Sequence, residues 1–194
     1  MGVQLILASA SPRRLALLQQ VGIVIRQQVA EIDETPLNNE AAEDYVVRLA
    51  LEKARAVRQH SVDERLPVLG ADTAVVVDGR LLGKPENLAH AREMLQLLSA
   101  REHQVMSAVA LVRGREAVRL SVSRVWFRPL GKNEIDDYWR TGEPQDKAGA
   151  YAIQGVGAIF IERLEGSYTG VMGLPLYETS QLLQDFGIQV LERR

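Results

Sequence analysis

The stretch Val68-Leu-Gly-Ala-Asp-Thr-Ala-Val-Val-Val77, followed by Asp78-Gly79, does most to decide which fold this sequence adopts. Its β-branched and small apolar residues predict a buried strand. Asp-Gly is a turn dipeptide, so a hairpin partner is expected directly after it. Asp72 interrupts the apolar run, and a carboxylate is costly to bury unless it is paired or bound to a metal. We interpret Asp72 as a functional residue; a water-facing edge position is the alternative.

Strand-like and helix-like segments alternate on both sides of this run. Further strands are expected at Val3–Ala8, Gln104–Val112, Glu116–Arg128, Ala158–Ile161 and Ile188–Leu191. Helices are expected from Pro12 to Val21, Glu40 to His60, Asn87 to Leu98, Glu134 to Arg140 and Leu176 to Phe186. The second and third strands of this list form a hairpin around Arg113-Gly114. The pattern predicts an α/β fold whose sheet is mixed, because hairpins add antiparallel pairs.

Composition excludes several classes of protein. The 194 residues include 46% hydrophobic and 25% charged residues, which is typical of a globular chain and not of a disordered one. The formal charge of −2 provides no field for non-specific binding to nucleic acid or a membrane surface. The chain has no cysteine, so thiolate catalysis and disulfides are excluded. No apolar run reaches the roughly 18 residues of a membrane span. We expect a single domain over residues 1–194 in the cytoplasm.

A candidate anion site lies at Ser9-Ala10-Ser11-Pro12-Arg13-Arg14, between the first strand and the first helix. Ser11 is a typical N-cap and Pro12 a typical first helical residue. A helix N-terminus offers free N–H groups and partial positive charge, and two hydroxyls and two guanidiniums add to it. Phosphate binding is one interpretation; a capped helix with solvated arginines is the other.

Acidic residues suggest a cation site. Glu31-Ile32-Asp33-Glu34 follows the first helix, and such clusters in loops are either solvated surface or ligands for a hard cation. Mg²⁺ takes one or two carboxylates and leaves its other positions to water and phosphate.

Two lysines and one loop complete the candidates. Lys84, held between Gly83 and Pro85, favours a phosphate contact, whereas the position of Lys53 in the middle of a helix is more typical of an ordinary solvated face. The stretch 146–155, with 166–168 and 173–175 after it, is rich in glycine and aromatic hydroxyls, which favours a ligand-binding loop over simple tight turns. His60, His90 and His103 show no ligand spacing, and we expect them at the surface.

Taken together, these segments resemble the Maf family of nucleoside triphosphate pyrophosphatases over nearly the whole chain. Each motif is weak alone, but six of them follow one another in the order typical of the family. They are Ser9–Arg14, Glu52-Lys53-Ala54, Gly70-Ala71-Asp72-Thr73, Gly83-Lys84-Pro85, Asp146–Gly155 and Gly173-Leu174-Pro175.

The resemblance implies an elongated, twisted mixed sheet flanked by helices, with two lobes around a central cleft, similar to the inosine triphosphate pyrophosphatases. It implies cleavage of a nucleoside triphosphate to the monophosphate and pyrophosphate with a divalent metal, Mg²⁺ or Mn²⁺. It also implies a cytoplasmic homodimer. The catalytic residues would be Asp72, Lys53, Lys84 and Glu34, with Glu34 and Asp72 as metal ligands. The substrate would be bound by Ser9, Ser11, Arg13, Arg14, Thr73 and Gln154.

The residues at three positions indicate a branch of the family. Arg13, Thr73 and Gln154 look like the branch that prefers dTTP and UTP, whereas the 7-methyl-GTP branch usually reads Ser-Asp-Gln at 71–73. A glutamine amide carries the donor and acceptor that a uracil edge requires. The 7-methyl-GTP activity stays open as an alternative. So does a nucleotide-binding regulator of septum formation that acts through a partner protein.

Overall fold

Residues 2–190 of the chain are described by a computed structural model, in which seven strands form one mixed sheet. The strands are β1 (Leu5–Leu7), β2 (Ile25–Gln27), β3 (Val68–Val77), β4 (Arg80–Leu82), β5 (Glu102–Arg113), β6 (Arg115–Phe127) and β7 (Ile161–Glu165). Their order is β2-β1-β3-β5-β6-β7, and β4 pairs with β3 outside this path. β1 runs parallel to β2 and β3, and the other pairs are antiparallel.

Six α-helices flank this sheet within the described residues. They are α1 (Pro12–Gln20), α2 (Ala42–His60), α3 (Leu88–Leu98), α4 (Lys132–Arg140), α5 (Tyr168–Val171) and α6 (Leu176–Asp185). Short 3₁₀ turns lie at Glu143–Asp146, Ala148–Ala150 and Val156–Phe160. The α/β class, the mixed sheet and the five predicted helices are confirmed.

The two faces of the sheet are covered differently. One face packs under α2, where Ala50 and Ala54 meet β3 and β5. The opposite face holds two apolar clusters, one with α1 and α6 and the other with α3 and α4. Along β3, Ala71 belongs to the first cluster and Val75 to the second. Thr73 lies between them, so the clusters form two lobes divided by a polar position.

The gap between two strand pairings creates the cleft. β1 pairs with β3 at Val68 and Leu69, and β4 pairs with β3 from Val75 onward. Residues 70–74 of β3 therefore have no strand beside them on that edge within the described chain. The carboxyl end of β1 leads into α1 at the same point, which is a typical ligand position in α/β sheets.

Two predicted strands are wrong. The segment 156–160 is a 3₁₀ turn, and β7 begins only at Ile161. The amides of Val156 and Gly157 donate to the carboxylate of Glu143 instead of to a neighbouring strand. No strand forms over 188–190, where Ile188 and Val190 pack as partly buried side chains against the first apolar cluster; Leu191 lies outside the described residues.

The short elements β2 and α5 were not predicted. Three or four residues give too little periodicity to be recognised in a sequence. None of the helices in 2–190 has both the length and the apolar character that crossing a bilayer would require.

Candidate active site

A cavity of about 660 Å³ opens at the unpaired edge of β3. Its lining comes from both lobes and includes every residue that the sequence singled out as catalytic or substrate-binding. These residues are Ser9, Ser11, Arg13, Arg14, Glu34, Lys53, Asp72, Thr73, Lys84 and Gln154. Tertiary structure therefore brings together motifs that are as far apart in the chain as Ser9 and Gln154, about three quarters of its length.

Lys53 lies at the floor of this cavity between two carboxylates. Its Nζ is 2.7 Å from Oδ1 of Asp72 and 2.8 Å from Oε1 of Glu34. Asp72 is 7% exposed and Lys53 7%, whereas the Glu34 side chain is 53% exposed. Lys53 is thus not on a solvated helix face, and Asp72 is not at a water-facing edge; both alternatives are wrong.

The close packing of α2 on β3 explains why Lys53 reaches Asp72. A Cβ at Gly70 would lie 2.1 Å from the carbonyl oxygen of Ala50 and 2.8 Å from the amide of Ala54. Only glycine permits this approach, because backbone atoms of the helix cannot move away locally. Lys53, next to Ala54, is thereby held against the strand that carries Asp72.

Burial raises the pKa of Asp72 above its ordinary value, although the charges of Lys53 and Arg14 act in the opposite direction. A raised pKa brings a carboxylate closer to the range in which it accepts a proton at neutral pH. Tyr45 contributes to the same wall, and its hydroxyl donates to the backbone oxygen of Glu34 at 3.0 Å. Burial and the charges of Asp72 and Glu34 raise the pKa of Tyr45 to about 12, so it remains a donor.

The start of α1 has the predicted cap. Oγ of Ser11 accepts from the amide of Arg14, and Pro12 is the first helical residue. Arg13 faces the cavity mouth, where its guanidinium is 3.9 Å from the carboxylate of Asp146. The adjacent Arg14 points into the protein instead.

Arg14 is held by three hydrogen bonds from its guanidinium. It donates to the backbone oxygen of Gly173 at 2.8 Å, to Oγ of Ser9 at 3.3 Å and to Oγ1 of Thr73 at 3.4 Å. Thr73 also bonds Oγ of Ser107 at 2.8 Å. Ser9, Arg14 and Thr73 thus form a network that joins α1, β3 and the 170–173 turn, whereas Arg13, Lys84 and Gln154 are open to the cavity.

Three lining residues were missed as individual candidates. Asp146 and Lys147 form an ion pair on the cavity wall, within the loop that the sequence marked by its glycines and aromatic hydroxyls. The Asp-Lys pair next to Ala-Gly-Ala was the available signal. Tyr45 gave none, because its helical spacing is typical of an ordinary packing residue.

The oxygen donors present are suited to a hard cation. Glu34 and Asp72 contact the same ammonium group, so their carboxylates lie close to each other at the cavity floor. Two carboxylates, completed by water and substrate phosphate, match what Mg²⁺ or Mn²⁺ uses. Residues 2–190 contain no cluster of three or more acidic, histidine or cysteine side chains, so a bound cation would depend on substrate oxygens.

The expectation that all three histidines lie at the surface is wrong for His103. It is 2% exposed, and its Nε2 is 2.8 Å from the hydroxyl of Tyr151, which lines the cavity. His103 packs edge-on against Phe127 and Tyr151. Its partners come from β6 and from the 146–155 loop, so no local pattern could have revealed its burial.

Comparison with known proteins agrees with this arrangement. The family model described as Maf-like protein matches residues 4–186. A dTTP/UTP pyrophosphatase of Alkalilimnicola ehrlichii is 55% identical over 186 residues, covering 94% of this chain and 92% of the relative. A dTTP/UTP pyrophosphatase of Methylococcus capsulatus is 54% identical over 187 residues, covering 96% of this chain and 92% of the relative.

A solved structure from Mycobacterium abscessus, a nucleoside-triphosphatase or dITP/XTP pyrophosphatase, is 24% identical, with a TM-score of 0.42 over 63% of this chain and 73% of that one. The relatives above and the family model show the family, and the match to the family model contains the whole cavity lining. On that basis, the chain belongs to the family of Maf-like proteins.

Proposed function

We propose that this protein is a hydrolase that cleaves dTTP and UTP to the nucleoside monophosphate and pyrophosphate. The relatives at about half identity carry the name dTTP/UTP pyrophosphatase. The observation that carries the proposal is the buried Lys53–Asp72 pair at the floor of a cavity whose mouth is lined by further cations. Hydrolysis of a phosphoanhydride requires a carboxylate that activates water and cations that bind the phosphates, and this cavity has both.

The triphosphate is proposed to lie between the start of α1 and the 83–84 turn. Arg13 and Lys84 are open to the cavity and can each meet phosphate oxygens, and Lys147 lies on the same wall. Fixed cations of this kind stabilise the charge that develops during phosphoryl transfer. Arg14, Ser9 and Thr73 support this region by holding the α1 loop against β3.

Asp72 is the proposed base. It takes a proton from a water molecule, whose oxygen attacks the α-phosphorus. The bond to the bridging oxygen then breaks, and pyrophosphate leaves with the electron pair. Lys53 keeps Asp72 oriented and offsets negative charge beside it. A raised pKa suits Asp72 to this task, because general bases work best with a pKa nearer the operating pH.

A divalent cation, Mg²⁺ or Mn²⁺, is proposed as cofactor, held by Glu34 and Asp72 with substrate oxygens. When bound, it would neutralise phosphate charge and polarise the reacting phosphoryl group. Lys53 contacts both carboxylates and keeps them close together. We also propose, from the family resemblance, that the protein acts in the cytoplasm as a homodimer.

The base of the nucleotide is proposed to meet Gln154, which is exposed and lines the cavity. Its amide can donate to O4 or O2 of a uracil or thymine ring and accept from N3–H. Cytosine exchanges one acceptor for a donor on the same edge, so it fits less well.

A substrate panel tests the proposal directly. Pyrophosphate release is measured from dTTP, UTP, dCTP, dGTP and 7-methyl-GTP, with Mg²⁺, with Mn²⁺ and with a chelator. Metal-dependent turnover that is fastest for dTTP and UTP is expected. Fastest turnover of 7-methyl-GTP would favour the other branch of the family. Tight nucleotide binding with no pyrophosphate released from any substrate would overturn the enzymatic proposal and favour a regulator.

A further inference from the structure

Gln154 belongs to a short irregular segment, 152–155, that lies outside any strand or helix and is followed by the 3₁₀ turn Val156–Phe160. The amide of Gly155 donates to the oxygen of Ala152 at 3.3 Å, which closes a turn around Gln154. A turn of this kind is not rigid by itself. The position of this turn at the cavity must therefore depend on contacts from residues on the side of the turn that faces away from the cavity.

The carboxylate of Glu143 provides such contacts. Its Oε2 accepts from the amide of Val156 at 2.8 Å, and its Oε1 accepts from the amide of Gly157 at 3.0 Å. The hydroxyl of Tyr138 donates to Oε1 at 2.6 Å and accepts from the amide of Ala152 at 3.1 Å. Glu143 and Tyr138 thus bind the backbone on both sides of Gln154.

Glu143 and Tyr138 also pack very closely against the backbone of this turn. A Cβ at Gly155 would lie 2.0 Å from Oε2 of Glu143, and one at Gly157 would lie 2.6 Å from the hydroxyl of Tyr138. Glycine at both positions lets the two side chains reach the backbone amides. Tyr138 is itself fixed, because it is 3% exposed and packs edge-on against Phe160.

Glu143 remains ionised in this environment. Burial by itself would raise the pKa of Glu143, but the hydrogen bonds from Tyr138, Gly157 and Val156 outweigh that effect and the pKa lies below its ordinary value. An ionised carboxylate accepts charge-assisted hydrogen bonds, which are shorter and stronger than neutral ones. Neither Glu143 nor Tyr138 lines the cavity, so neither touches the substrate directly.

We infer that Glu143, with Tyr138, is a positioning residue for base selection, which fixes the turn that presents Gln154 to the nucleotide. The inference rests on the proposed function. It predicts that the substrate preference depends on a carboxylate outside the cavity, because a displaced amide loses its donor and acceptor geometry before the phosphate site is disturbed.

The test compares kcat and KM for dTTP and dCTP in the wild type and in Glu143→Ala, Glu143→Gln and Tyr138→Phe. We expect the wild type to prefer dTTP by roughly 10- to 100-fold in kcat/KM, as one or two mismatched hydrogen bonds would give. Glu143→Ala should reduce that ratio to a few-fold, chiefly through a higher KM for dTTP. Glu143→Gln should give an intermediate ratio, because its amide nitrogen faces a backbone N–H.

Glu134→Ala is the matched control. The carboxylate of Glu134 also accepts hydrogen bonds, from Arg128 and from the amide of Gly131, and it does not line the cavity. It should lower the melting temperature to a similar extent and leave the dTTP/dCTP ratio unchanged.

The outcomes separate the two hypotheses. A wild type that does not discriminate between dTTP and dCTP overturns both the proposed substrate choice and this inference. A discriminating wild type whose ratio survives in Glu143→Ala overturns the inference alone. If Glu143→Ala does not fold, Tyr138→Phe provides the test, since it removes only one hydroxyl from a buried ring. An unchanged dTTP/dCTP ratio in Tyr138→Phe would then overturn the inference.

Discussion

Nζ of Lys53 in α2 lies 2.7 Å from Oδ1 of Asp72 in β3, and both side chains are buried. Removal of Lys53 would take the ion-pair partner from the buried carboxylate of Asp72, which costs several kcal/mol in typical proteins, whereas Lys53 keeps Glu34 as a partner when Asp72 is replaced. The pair lies at the floor of the cavity, where Asp72 is the proposed base.

Asp72→Asn is expected to lower kcat by roughly 10²- to 10⁴-fold, because the amide cannot accept a proton from water. Nucleotide binding, measured by titration calorimetry, should persist, since Arg13 and Lys84 are unchanged. Asp78→Asn is the control: Asp78 follows the same strand at its exposed turn, and asparagine tolerates its φ of 50°. More than about a tenth of wild-type turnover in Asp72→Asn would exclude Asp72 as the base.

Arg13→Ala is expected to impair substrate binding, whereas Arg14→Ala is expected to reduce stability. Arg13 is open to the cavity, so its loss should raise KM by about tenfold, the worth of one lost charged hydrogen bond. The melting temperature should hardly change. Arg14→Ala removes a donor from three partners and should lower the melting temperature by several degrees. Calorimetric scans and kinetics on both variants check this; an Arg13→Ala protein with a lower melting temperature and normal kinetics would contradict it.

Gln154→Ala is expected to compress the preference for dTTP over dCTP more than it lowers kcat on dTTP. The side chain is exposed in the cavity and has no hydrogen-bond partner from residues 2–190, so its removal should cost little stability. A buried mismatch on a base edge is worth about 1–3 kcal/mol, or roughly one to two decades in kcat/KM. An unchanged dTTP/dCTP ratio would show that another group reads the base.

His103 predicts a pH dependence of stability. Burial, together with the charge of Arg101, lowers the pKa of His103 to about 4 from 6.5. Between these values the unfolded chain binds a proton that the folded chain does not, so the free energy of unfolding decreases as pH falls. The loss from His103 between pH 7 and pH 5 amounts to about 2 kcal/mol.

His103→Gln should therefore show a shallower decrease in melting temperature from pH 7 to pH 5, because glutamine can still bond Tyr151 but does not titrate. His60→Gln, at an exposed position, should follow the wild type. Parallel curves for wild type and His103→Gln would mean that His103 does not titrate in this way.

The sequence by itself determined the elements with long, consistent patterns. Val68–Val77 is β3 to the residue, Ser11 caps α1 as predicted, and the helix predicted over Asn87–Leu98 is α3, Leu88–Leu98. These features follow from local rules of periodicity, capping and turn chemistry, which need no partner from elsewhere in the chain. The order of six motifs also sufficed to identify the family and ten of the residues that line the cavity.

Tertiary structure decided what each of those residues does. Lys53 could not be told from a solvated lysine until Gly70 brought α2 against β3. Arg13 and Arg14 are neighbouring arginines that no sequence pattern distinguishes. Arg13 is open to the cavity, whereas Arg14 donates hydrogen bonds to residues 59 and 159 positions away in the chain. Burial and pairing depend on contacts between distant segments, and these contacts set the charge state and freedom of a side chain. A local pattern contains no information about them.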